Sequence, residues 1–234
     1  MPPQETDPEG APKDVEAIRQ RIRALLDVPG PIGKKIGTAK WGVYAFYDYD
    51  KEPIYVGQTY ESLQERISRH LTNQRSDAVA MNVLDPFEVA EIEVWPIWEL
   101  QAVGQEHGDF KEAKRRLNAA EYTVFQRVLS QSTFGAVLNE GDIVPADLIE
   151  LPPSVRRSII PDDLYEQRKH PDVRIARRAT TIAALARVIS ERELRKKGLR
   201  RTLMTQARRL ERLATQRYNE IGGSVPTVEP GDED

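Results

Sequence analysis

The sequence predicts an α+β protein, with a small three-stranded, mainly antiparallel sheet flanked by helices, one helix before this core and a helical extension after it. Three observations carry the prediction. Two short runs of β-forming residues, Gly42–Tyr47 and Ile54–Val56, enclose the turn material Asp48-Tyr-Asp-Lys-Glu-Pro53 and read as a β-hairpin. A run of about 22 residues, Asp109 to Ser130, has helical periodicity. The same periodicity returns across the C-terminal third, after a polar, proline-containing stretch from Asn139 to Pro161.

In chain order, residues 1–13 are rich in Pro, Gly and acids and read as a disordered tail. Residues 14–40 hold an amphipathic helix, with Val15, Ile18, Ile22, Leu25 and Leu26 on one face, and the loop that stops it at Val28-Pro-Gly-Pro. Residues 41–145 form the expected core. After the hairpin comes a helix from Ser62 to Gln74, with the stripe Leu63, Ile67, Leu71. A third strand follows within Phe87–Ile97, which Pro96 limits to an edge or end position, and then the long helix. Residues 146–222 form a basic helical region. There Asp162 and Asp163 cap a helix start, and Ile182, Leu185, Ala186, Ile189 and Leu203, Ala207, Leu210, Ala214 line the two arms of a helical hairpin broken near Lys196-Lys-Gly198. Residues 223–234 read as an acidic disordered tail.

Composition narrows the class. There is no cysteine, which excludes disulfides and cysteine-based zinc modules and fits a reducing cytoplasm. No apolar run spans a membrane, and the N-terminus lacks the apolar segment of a secretory signal. The net charge of −3 conceals a segregation: Arg174–Arg217 carries 14 Lys or Arg against Glu191, Glu193 and Glu211, a local +11, so the remainder carries −14. A polyanionic partner and a merely solvated helix surface both explain such a run.

Several polar residues sit where packing favours apolar ones. Glu121 lies in an apolar stripe, with Leu117 and Phe125 each about 40° from it around the helix and Val124 and Val128 nearby. A carboxylate there is paired with a buried cation, bound to a metal, or turned to a solvated groove. Arg66 and His70, i and i+4, border the buried stripe of their helix; they reach one point in a groove, or Arg66 snorkels beside a surface His. Tyr44, Tyr47, Tyr49, Tyr55 and Tyr60 crowd the hairpin, an ordinary pattern for strands except that Tyr44 and Tyr55 each belong to a glycine-containing tripeptide.

Gly42-Val43-Tyr44 and Tyr55-Val56-Gly57, followed by Arg66, His70, Glu121 and a Leu138-Asn139 step in that order, resemble the GIY-YIG endonuclease superfamily over roughly residues 40–140. The resemblance implies a catalytic set of Tyr44, Tyr55, Arg66, His70, Glu121 and Asn139. Glu121 is then the single protein ligand of Mg²⁺, with Mn²⁺ as a substitute, and Tyr44 is the general base or a partner of the attacking water. Arg66 stabilises the transition-state phosphate, Tyr55 and His70 orient the water or assist proton transfer, and Asn139 supports the site or contacts the substrate backbone. The function implied is a Mg²⁺-dependent endodeoxyribonuclease acting on double-stranded DNA.

The chain's size and its own helical additions resemble the type II restriction branch. That branch implies sequence-specific cutting, a homodimer for a palindromic site, and a cognate DNA methyltransferase as genetic partner. With the resemblance in place, the basic region reads as DNA-contacting or dimer-forming, with Arg174, Arg177, Arg178, Arg187, Arg192, Arg195, Arg200, Arg201, Arg208 and Arg209 as candidate phosphate contacts. Two alternatives stand beside this expectation: a structure- or modification-dependent nuclease in phage defence or repair, and a catalytically silent DNA-binding protein. The second leaves Glu121 without a physical reason to occupy an apolar stripe.

Overall fold

The computed structural model describes residues 13–71, 85–139, 141–191 and 197–223. The elements are α1 (Lys13–Leu26), β1 (Gly42–Tyr47), β2 (Pro53–Thr59), α2 (Leu63–Leu71), β3 (Glu91–Pro96), α3 (Phe110–Gln131), β4 (Val155–Ser158), α4 (Asp162–Lys169), α5 (Pro171–Glu191) and α6 (Lys197–Glu220). The sheet runs β2-β1-β3-β4, antiparallel at every pairing. The α+β class holds, with four strands in place of three. Residues 72–74 of the expected second helix, and the expected tails apart from Lys13 and Gly223, lie outside the described residues. No helix among the described residues is long and apolar enough to cross a membrane.

Strand β1 is buried at all six positions because both faces of the sheet are covered. Val43, Ala45 and Tyr47 pack with Val56 and Trp95 against Ala113, Leu117, Ala120, Val124 and Val128 of α3. Tyr44 and Phe46 face the other way, into a core that joins Leu25 and Leu26 of α1, Leu63 and Ile67 of α2, Leu185 and Ile189 of α5, and Leu199 of α6. The period-2 alternation of the strand thus divides the molecule into two apolar layers. The hairpin turn is built on Asp48, whose Oδ1 accepts from the backbone N–H groups of Asp50 (2.8 Å) and Glu52 (3.0 Å). Lys51 takes the left-handed conformation the turn requires (φ 61°). Helix α2 starts where Ser62 Oγ accepts from the Glu65 N–H at 3.0 Å, a side-chain N-cap. Pro96 falls at the end of β3, which is an interior strand covered by β1 on one side and β4 on the other.

The C-terminal third is fastened to the core by charge. Asp48 Oδ2 receives Arg209 Nη2 at 2.5 Å, Arg178 Nη2 at 3.0 Å and Arg174 Nη2 at 3.3 Å, with all four side chains 5% exposed or less. Arg174 also binds Asp50 (2.7 Å). Glu88 holds Arg177 (2.7 Å) and Arg178 (3.0 Å). This changes which side of α6 faces inward. The apolar residues predict a seam through Leu203, Ala207, Leu210 and Ala214; the buried residues are Leu199, Thr202, Thr205, Gln206, Arg209 and Leu213. The helix is rotated so that Arg209 meets Asp48, and the seam is in large part polar. Helix α6 begins at Lys197, so Gly198 sits inside it, and residues 192–196 lie outside the described residues. Asp162 and Asp163 occupy the first turn of α4, whose N-cap is Pro161 with no side-chain cap. There they complement the helix dipole.

Candidate active site

Tyr44 on β1 stands opposite Gly57 on β2 in the hairpin register. A Cβ built on Gly57 would lie 2.5 Å from the Tyr44 hydroxyl and 2.6 Å from its ring carbon Cζ. The glycine of the second tripeptide therefore clears the space that the tyrosine of the first occupies, which is the physical reason the two occur together. Gly57→Ala is expected to push the phenol aside by about 1 Å and lower kcat about 100-fold with the fold retained. Cleavage kinetics beside circular dichroism would check this, and a normal rate would show that the hydroxyl's position is not critical.

The remaining residues converge from α2 and α3. Tyr44 is fully buried, with its ring 6.2 Å from Tyr55 and edge-on to His70 at 5.7 Å; His70 lies 4.9 Å from Tyr55. His70 is itself only 6% exposed, deeper than the groove edge that its helical spacing predicts. Arg66, one turn earlier and half-buried, interacts electrostatically with the Tyr44 and Tyr55 side chains. Glu121 approaches from α3, in the opposite layer. The layers meet across β2, the edge strand of the sheet: Tyr55 and Gly57 share the Tyr44 face, while Val56 and Gln58 share the α3 face.

Burial drives the Glu121 carboxyl up to about 7, while Lys114 and Arg66 pull it back down. An isolated carboxylate in this place is thus held near the balance between its neutral and charged forms, and a cation beside it favours the charged one. No group of three or more His, Asp or Glu side chains that would cage a metal exists among the described residues. A lone carboxylate does not make a protein cage, but it fits a hard, well-hydrated cation that takes one carboxylate and fills its shell with water and phosphate oxygens.

Asn139 serves β2 directly. Its Oδ1 accepts from the Val56 N–H (3.1 Å), and its Nδ2 donates to the Val56 carbonyl (2.6 Å). Both ends of the amide are occupied by the backbone between Tyr55 and Gly57, so this side chain positions the strand. Its own carbonyl accepts from Thr202 Oγ1 of α6 at 3.2 Å, which brings the start of that helix beside the site. Three further residues here, Gln58, Asn118 and Lys114, are not singled out by the sequence reading, and Tyr60 enters it only as one of the hairpin tyrosines. Gln58 Nε2 donates to Asn118 Oδ1 at 3.0 Å, and the Lys114 ammonium rests 3.8 Å from the centre of the Tyr60 ring. The signal that finds two of them is helical spacing: Lys114 and Asn118 precede Glu121 by seven and three residues on one face of α3.

The ten candidate phosphate contacts divide. Arg174, Arg178 and Arg209 are buried, and Arg177 is bound to Glu88 and to the Arg168 carbonyl. The phosphate role expected of these four gives way to an internal one, because their guanidiniums are committed to Asp48, Asp50, Glu88 and backbone carbonyls. Arg187, Arg200, Arg201 and Arg208 are exposed, with Arg201 bound to Asp142 (2.6 Å) and Arg187 near Glu191 (3.7 Å). Arg192 and Arg195 lie outside the described residues.

Neither a curated protein nor a solved structure matches the chain. The family model of the GIY-YIG catalytic domain matches residues 40–126. That segment runs from just before β1 to late in α3 and contains Tyr44, Tyr55, Arg66, His70 and Glu121, with Asn139 beyond it. The match supports the GIY-YIG superfamily for this part of the chain, and with it a nuclease as its enzymatic class.

Proposed function

We propose that the chain is a Mg²⁺-dependent endonuclease that hydrolyses phosphodiester bonds of double-stranded DNA at a specific sequence, as type II restriction enzymes do. The observation that carries this reading is a half-buried Glu121 that interacts through charge with Lys114 and Arg66, the latter also interacting with the Tyr44 side chain. A phosphodiester gives that constellation work to do. The bound Mg²⁺ would supply Lewis-acid charge at the phosphate and lower the pKa of a coordinated water. Glu121 would hold it. Arg66 would meet the phosphate oxygens on which negative charge grows. Tyr44, beside that guanidinium, would serve as the general base or as a hydrogen-bonding partner of the attacking water. Tyr55 and His70 would keep the Tyr44 ring in place by ring contact, and Asn139 would hold the β2 backbone on which Tyr55 stands.

Support for DNA as the substrate comes from the exposed face of α6. Its first turns carry Arg200 and Arg201 beside Asn139, and Arg208 follows two turns on. These are in reach of DNA lying across the site, and their phosphate contacts would fix register while other groups read bases. A homodimer and a cognate methyltransferase accompany this reading.

The test is incubation of the purified protein with unmodified plasmid and phage DNA, in Mg²⁺ or in EDTA. Discrete fragments in Mg²⁺ and none in EDTA are the expected result, and the fragment ends give the site. Cleavage restricted to nicked, flapped or base-modified DNA would replace the sequence-specific reading with the structure- or modification-dependent one. No cleavage of any DNA with any divalent cation would sink the nuclease.

A further inference from the structure

Lys114 is a basic side chain of the site for which the machinery above has no use. It lies on α3 about 20° around the helix axis from Glu121 and about 10 Å along it, with Asn118 between them. Asn118 is tied to Gln58 at 3.0 Å. This amide pair fills the helix face between carboxylate and ammonium and keeps the two apart. The ammonium instead sits 3.8 Å from the centre of the Tyr60 ring, which is braced by Trp41 (5.8 Å) and Phe110 (5.8 Å). Among the described residues Lys114 is paired with no carboxylate. Its electrostatic neighbours are Glu121, which attracts it, and Arg66, which repels it.

Two cations and one acid therefore share the mouth of the site. When a divalent cation occupies Glu121, that carboxylate's charge is taken up, and Lys114 and Arg66 face a third positive charge. Only an anion resolves this, and it must be one that reaches both ends of the face. The diester backbone of DNA presents one negative charge per nucleotide along its length. Arg66, whose guanidinium interacts with Tyr44, belongs at the scissile group. Lys114 stands two helical turns from the Glu121 position, and the rigid aromatic shelf of Tyr60 holds its ammonium in place.

We propose that Lys114, seated on Tyr60, binds a phosphate flanking the scissile one on the cut strand and so sets where along the backbone the strand lies over Glu121. The proposal rests on the nuclease reading and deepens it. A lysine serves here because an ammonium is a compact charge that any phosphate oxygen can approach. The cation–π contact restrains its long stem, so less side-chain freedom is lost on binding.

The experiment measures DNA binding apart from cleavage. Glu121→Ala protein, without divalent cations, is titrated with a fluorescent duplex of about 30 base pairs from 50 to 200 mM salt. The same is done with Lys114→Met and Lys114→Arg added to that background. Removing one phosphate contact is expected to reduce the slope of log K against log salt by about 0.9, which over this fourfold range is about a threefold change in salt sensitivity. Lys114→Arg is expected to restore the parent slope, which a merely structural role would not do. Thermal melts verify that each variant is folded, with Lys114→Gln in place of Met if Met fails. A parent that binds DNA with the same slope as Lys114→Met overturns the proposal and leaves the nuclease standing, as does an Arg variant that falls as far as Met. A parent that does not bind DNA, together with a wild type that cuts none, overturns both.

Discussion

Glu121→Ala is expected to lower the cleavage rate by at least about 10³-fold in Mg²⁺, with the protein folded and still binding DNA. The side chain acts through charge on both Arg66 and Lys114, and no group of three or more His, Asp or Glu side chains that could hold a cation in its place exists among the described residues. Loss of a metal-borne charge at a phosphate is worth several kcal/mol of barrier, and each factor of ten is about 1.4 kcal/mol. Substitution of the same residue by glutamine has a second, opposite signature. Burial raises the Glu121 carboxyl to about 7, so the folded state favours its protonated form. The folded protein bears no penalty for this group below the pH where it titrates in the unfolded chain. The penalty then grows as pH rises and is complete above about 7, where it is on the order of 3 kcal/mol. Glu121→Gln is therefore expected to be more stable than the parent at pH 8 without divalent cations, and equal to it near pH 4. Adding Mg²⁺ at pH 8 should raise the parent's melting temperature and leave Glu121→Gln where it was. A glutamine variant melting below the parent at pH 8 would show that Glu121 is instead a paired structural carboxylate.

Asp48→Ala is expected to destabilise the protein by about 3–5 kcal/mol, a large part of the 5–15 kcal/mol typical of a whole domain. The carboxylate is 2% exposed and receives three guanidiniums on one oxygen and two backbone N–H groups on the other. Its removal leaves Arg209 fully buried with no carboxylate among its hydrogen-bond partners and leaves the hairpin turn without its acceptor. Asp48→Asn separates the two effects, because the amide oxygen can keep the turn while the charge is lost. The asparagine variant should fall between parent and alanine in urea unfolding. Added salt should rescue neither, since the cluster is shielded from solvent. A loss below about 1 kcal/mol for alanine would mean that the three arginines readily find other partners.

These two sites differ in how far the sequence announces them. Glu121 is legible because a helix has a fixed period, so one carboxylate within an apolar stripe stands out from local spacing alone. The β-hairpin is legible for the same reason, from alternation and a turn rich in Asp, Lys and Pro. Asp48 is different. Its partners lie 126, 130 and 161 residues away, and Arg174, Arg178 and Arg209 fall in a run whose composition describes an exposed basic helix. Charge runs are usually solvated, so a buried ion cluster shows only when the fold brings distant segments together. Strand β4 escaped for a related reason. Val155-Arg-Arg-Ser158 is short and polar, follows Pro152-Pro153, and gains its strand character from pairing with β3. Lys114 is intermediate: its spacing to Glu121 is visible, but Tyr60 beneath its ammonium is a tertiary fact.

The Asp48 cluster also bears on when this fold becomes stable during synthesis of the chain. The segment with Tyr44, Arg66 and Glu121 leaves the ribosome long before α5 and α6, yet its hairpin turn holds a buried acid whose counter-charges are Arg174, Arg178 and Arg209. Its apolar layer is likewise completed by Leu185, Ile189 and Leu199. A nascent chain that ends near Ser132 exposes that layer and has no cation for Asp48, so the site is assembled on a surface that is not yet stable. The apolar layer on the Tyr44 face is closed only once α5 and α6 are present. For a chain whose residues 40–126 match the GIY-YIG catalytic domain, this ties the stability of that segment to helices outside it.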